Sequence, residues 1–100
     1  MSRNRYYARY QGTSRPPYIS FSHDWDANRP FTEQAPLLIG ACIRSTGTRV
    51  VPALLREQRE SRRASPVGTM MYLFHNAIVC ELERTFGMDG CRPYKPHSML

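Results

Sequence analysis

Ser65-Pro66-Val67-Gly68-Thr69-Met70-Met71-Tyr72-Leu73-Phe74-His75-Asn76-Ala77-Ile78-Val79-Cys80-Glu81-Leu82-Glu83-Arg84-Thr85-Phe86-Gly87 is the stretch on which the fold turns. Serine followed by proline reads as an N-cap and a first helical residue, and Gly87 as a C-terminal stop. Between them Met71, Phe74, Ile78, Leu82 and Phe86 fall on one helical stripe. Met70, Leu73, Ala77 and Cys80 widen that stripe, and Thr69, Tyr72, Asn76 and Glu83 leave only a narrow polar edge. A helix apolar over most of its circumference is central, covered by other elements or by a second copy of the chain in a homodimer.

Outward from this helix the reading becomes less sharp. Pro52 opens a second helix to about Arg63, with Leu54 and Leu55 inward and Arg56, Arg59, Arg62 and Arg63 toward solvent among Glu57 and Glu60. The apolar run Pro36-Leu37-Leu38-Ile39-Gly40-Ala41-Cys42-Ile43 fits a helix from Pro36 to Gly47. It fits a buried strand with a turn at Ser45-Thr46-Gly47-Thr48 nearly as well, because periodicity does not separate the two in so short a run. The segment Asp24-Trp25-Asp26 then Asn28-Arg29-Pro30 is turn chemistry, with Trp25, the lone tryptophan, at the core edge. Tyr18-Ile19-Ser20-Phe21-Ser22 alternates as a strand, and Arg5 to Tyr10 is its candidate hairpin partner across Gly12, Pro16 and Pro17. A free arm competes with that hairpin.

The expected fold class is therefore α+β: an N-terminal β-hairpin or extended arm followed by two to three helices, the last, at about 66–86, central to the core. Three regions follow: a basic, tyrosine-rich arm or hairpin at 1–30, a helical core at 31–87 and an extended tail at 88–100, all within one domain.

Composition bounds the function without choosing it. The chain has 100 residues, a net charge of +6 and 14 basic residues, of which Lys95 is the only lysine. Arginine offers a planar fork of donors that grips phosphate or carboxylate and stacks on aromatic rings. A GC-rich genome would raise arginine over lysine whatever the function. Three cysteines, Cys42, Cys80 and Cys91, make no disulfide framework, which points to a reducing, cytoplasmic setting. Residues 1–20 are polar and basic, without the apolar run of a signal peptide, and the run from Met70 to Cys80 is too short and too interrupted to span a bilayer, so no membrane role is expected.

Two basic patches carry the functional reading. In the arm, Arg3, Arg5 and Arg9 interleave with Tyr6, Tyr7 and Tyr10, the combination that neutralises phosphates and stacks bases of single-stranded nucleic acid. In the helix, Arg59, Arg62 and Arg63 could lie along phosphates, or form a solvated face partly neutralised by its glutamates. The leading expectation is a small basic nucleic-acid-binding protein, RNA favoured. The alternative is a protein-binding inhibitor or assembly factor, of the kind viruses and mobile elements encode, that docks on an acidic surface; an acidic groove would use the same residues.

Enzymatic constellations are weak. His23, Asp24 and Asp26 hold the ingredients of acid–base chemistry, but neighbours in a turn diverge and aspartate is common there. His75, Cys80, Cys91 and His97 could supply zinc ligands, yet His75 and Cys80 are five apart on a helix and no Cys-x-x-Cys knuckle exists. Residues 38–60 loosely fit a helix-turn-helix, with Pro52 poorly placed if the second helix starts at Thr48. No catalytic residue, metal or cofactor is expected.

Overall fold

The computed structural model describes residues 19–93. Among them the regular structure is helical and contains no strand, so the α+β expectation is corrected to an all-α globule. Four α-helices follow one another: α1 (Phe21–Asp24), α2 (Phe31–Thr46), α3 (Val51–Ala64) and α4 (Met70–Phe86), with a 3-10 turn at Thr48–Val50 before α3.

The expected strand around Phe21 is instead the single turn α1. Its cause is local. The Ser20 amide donates to the Asp24 carboxylate at 2.9 Å, and the Asp24 amide donates back to the Ser20 carbonyl at 2.9 Å. An aspartate four residues on, accepting from a backbone amide, offers the chain a turn that competes with strand pairing. Ile19 and Phe21 still meet the core: Ile19 is fully buried, and Phe21 stacks on Trp25 at 4.7 Å and meets the edge of Phe74 at 5.5 Å. The proposed pairing strand, Arg5 to Tyr10, lies outside the described residues.

Helix α2 excludes the hairpin reading of residues 36–51 and begins five residues before Pro36. The turn before it is built on Gln34, which is buried. Its Nε2 donates to the carbonyls of Asp26 at 2.7 Å and Arg29 at 2.6 Å, while its Oε1 accepts from the Asp26 amide at 2.9 Å. That side chain satisfies the groups a buried turn would otherwise leave unpaired. Pro36 thus sits inside the helix rather than at its start; Pro36 and Thr32 are both exposed, so the carbonyl that loses its helical donor is beside solvent. Gly47, at φ 86, ends the helix, its amide donating to the Ile43 carbonyl at 2.7 Å.

Helix α3 carries Pro52 in its first turn, where a missing amide costs no helical bond. Ser65 ends α3 instead of capping α4: its hydroxyl donates to the Ser61 carbonyl at 2.7 Å. Pro66 to Gly68 then turn, with Gly68 at φ 91, and Thr69 is the real cap, accepting from the Tyr72 amide at 3.2 Å. Helix α4 therefore starts four residues later than Ser-Pro implies. Its end is as read, with Gly87 at φ 86.

The core joins Phe74, Ile78, Val79, Leu82 and Phe86 of α4 to Leu38, Ile39 and Cys42 of α2 and Val51, Leu54 and Leu55 of α3, with Ile19 from the N-terminal side. After Gly87 the chain turns back, the Arg92 amide donating to the Phe86 carbonyl at 2.8 Å. Gly90 there packs so close to the start of α3 that a Cβ would lie 3.1 Å from the Pro52 Cα, at a φ of +77 that favours glycine anyway.

Candidate functional site

The outer face of α4 is the feature the fold leaves open. About 100° separates successive helical residues, so positions 70, 73, 77, 80 and 84 share a line opposite the core stripe. Met70 is 51% exposed and Leu73 43%, and Cys80 and Arg84 are exposed as well. Beside this line lies a shallow groove of about 350 Å³ between α2 and α4. Phe31 and Ala35 form its α2 wall, Leu73, Ala77 and Cys80 its α4 wall, and Glu81 and Arg84 line it too. Arg84 donates to Glu81 at 2.7 Å, so the charges there are already paired. Small residues at 77 and 80 let another backbone approach, while Leu73 and Phe31 offer apolar surface to bury.

The widened stripe read from the sequence is thus divided. Phe74, Ile78, Leu82 and Phe86 are buried, whereas Met71 of that stripe is exposed at the helix start. The residues that widen it, Met70, Leu73 and Cys80, are uncovered among the described residues.

The helical arginines are placed as ties between α3 and α4. Arg59 donates to the Glu83 carboxylate at 2.7 Å and to the Met88 carbonyl at 2.6 Å. Arg62 donates to the Asn76 side chain at 2.8 Å. The narrow polar edge of α4 is therefore the receptor for the arginine row of α3. Their alternating positions, 59 with 83 and 62 with 76, follow from antiparallel packing. Arg63 points outward and pairs with Glu60 of its own helix at 2.9 Å, both side chains being largely exposed. Arg3, Arg5, Tyr6, Tyr7, Arg9 and Tyr10 lie outside the described residues, so the structure does not bring the two basic patches together or hold them apart.

One polar arrangement escaped the sequence reading. Gln58 is wholly buried; its Nε2 donates to the Ile19 carbonyl at 2.9 Å, and its Oε1 lies 2.7 Å from His75 Nδ1. Since the amide nitrogen serves the carbonyl, the oxygen is the acceptor, and Nδ1 carries the histidine proton. Burial holds His75 below its ordinary value, so the ring is neutral near pH 7. The readable signal was Gln58 itself, a polar side chain at the core spacing of Val51, Leu54 and Leu55. The zinc set of His75, Cys80, Cys91 and His97 is not assembled on α4: His75 is buried on its core side while Cys80 is exposed on its outer side. His23 and Asp24, considered for acid–base work, are taken up locally, His23 Nδ1 lying 3.0 Å from the Ser20 hydroxyl and Asp24 closing the α1 turn.

No described group of three or more histidine, cysteine, aspartate or glutamate side chains could hold a metal ion, and no described helix is long and apolar enough to cross a membrane. Comparison with protein families, with curated proteins and with solved structures finds no match to this chain.

Proposed function

We infer that this chain is a small protein-binding module whose docking surface is the outer face of α4 with the groove beside it. The observation that carries the reading is the uncovered line of Met70, Leu73 and Cys80 on a helix whose opposite face is the core. Apolar side chains concentrated on one exposed helix face in so small a body mark an interaction surface. The partner's chemistry follows from charge: a net +6 chain opposes association with basic surfaces and favours an acidic one carrying an apolar ridge. A helix inserting apolar anchors along the groove suits the face, and an acidic character of the partner as a whole suits the net charge of the chain.

Arg59 and Arg62 support this reading over the nucleic-acid one, because their donors already face Glu83, Met88 and Asn76. The nucleic-acid reading keeps one specific support, the alternation of Arg3, Arg5 and Arg9 with Tyr6, Tyr7 and Tyr10. The discriminating experiment is purification from the native host with and without nuclease, in parallel for the wild type and Leu73→Glu/Cys80→Glu, both at exposed positions. Docking through α4 predicts a defined complex that survives nuclease and dissociates in the double variant, with the variant's own unfolding midpoint near the wild-type value. A complex that nuclease dissolves, and that the double variant retains, would instead return the function to the arm.

A further inference from the structure

A second concavity, of about 280 Å³, opens on another side of α4, where α1, the end of α3 and the start of α4 converge. Its walls differ from those of the groove. Phe21, Ala64 and Met71 give it an apolar side; Ser20, Ser22, Ser61, Ser65 and His75 give it a polar one. His75 is 3% exposed, and its Nδ1 proton is fixed on Gln58. The other ring nitrogen, Nε2, is then a lone-pair acceptor, and it has no hydrogen-bond partner among the described residues. That lone pair is available to a donor seated in the concavity. Ser65 donates its own hydroxyl proton to the Ser61 carbonyl, which leaves its oxygen to accept rather than to give. Phe21, braced by its stack on Trp25, and the thioether of Met71 suit the face and edge of a ring.

The geometry points to a binding site for a phenolic ring, its O–H donating to Nε2 of His75 and its body lying between Phe21 and Met71. The ligand is neutral, because the ring that receives it is neutral and no charged side chain lines the concavity. The same chemistry is presented by a free small phenol and by a tyrosine side chain. The site is separate from the α4 outer face and does not rest on the protein-binding reading.

The test uses the whole wild-type chain with its histidine imidazoles labelled with nitrogen-15. Phenol is titrated against fluorobenzene, which has similar size and no donor; N-acetyltyrosinamide is a third arm. Phenol should shift the Nε2 resonance of His75 saturably while Nδ1 stays protonated, and should bind at least tenfold more tightly than fluorobenzene. Binding of N-acetyltyrosinamide as tight as that of phenol assigns the site to a tyrosine presented on a chain; binding of phenol alone assigns it to a free small molecule. Ala64→Phe, at an exposed wall position that takes no part in the Gln58–His75 bond, should abolish phenol binding without moving the unfolding midpoint. Equal binding of phenol and fluorobenzene, or an Nε2 resonance that none of the three moves, overturns the proposal.

Discussion

The two faces of α4 are built from the same kinds of residue and have different fates. The inner face, Phe74, Ile78, Leu82 and Phe86, is closed over by α2 and α3; on the outer face Met70, Leu73 and Cys80 have no cover among the described residues, and Ala77 between them is partly buried. Hydropathy alone treats them as one wide stripe. The difference lies in chain length and topology: two long helices can flank a third and seal its back, and the described chain offers no further long element for its front. An apolar helix face is thus evidence that something should cover it, and packing alone decides whether that cover lies within the chain.

The largest effect that separates the faces is a pair of truncations. Phe74→Ala should cost about 3–5 kcal/mol in urea denaturation through lost burial and the cavity left behind. Leu73→Ala, one residue away on the outer face, should cost less than about 1 kcal/mol. Similar losses at both positions would mean that the outer face is covered too, and would break the comparison.

Next comes the polar bond within the core. Gln58→Leu leaves the Ile19 carbonyl and the His75 ring without their partner and should cost about 1–3 kcal/mol. The linked pH effect has a definite sign. The folded-state value of His75 is depressed, so the unfolded chain takes up the proton first as pH falls. Stability should therefore decline as pH drops below about 6.5, the ordinary histidine value, until the folded value is passed. His75→Phe should remove that part of the slope. An unchanged slope in the variant would place the acid sensitivity elsewhere.

Smaller effects sharpen the contrast between tie and surface charge. Arg59→Ala loses its half-buried bond to Glu83 and its bond to the Met88 carbonyl, and should cost about 1 kcal/mol. Arg63→Ala removes only an exposed pair within α3 and should leave the midpoint unmoved. Equal losses would show that the α3 arginine row acts as a unit.

Much of this frame could be read from residues, and the failures share a cause. Pro52 near the start of α3, Gly47 and Gly87 as stops and the core stripe of α4 are features of local chemistry, and local chemistry is what a sequence displays. The start of α2 was not legible, because its first turn, Phe31-Thr32-Glu33-Gln34, is mostly polar and depends on Gln34 bonding back to Asp26 and Arg29. The alternation of Tyr18 to Ser22 points to a strand that the described part of it does not form, because alternation over five residues is weaker than one Ser20–Asp24 exchange. The arginine ties needed pairing across helices: Arg59 and Arg62 three apart and Asn76 and Glu83 seven apart are complementary only once α3 and α4 run antiparallel.

The central claim is that the outer face of α4 meets a partner protein. Its most direct test replaces Leu73 with a photoactivatable benzophenone residue in the native host and, in parallel, places the same group at exposed Ala53 on α3. Docking through α4 predicts that position 73 crosslinks to one acidic protein in high yield while position 53 does not. Equal, diffuse labelling from both positions, or labelling of nucleic acid from position 73, would contradict it.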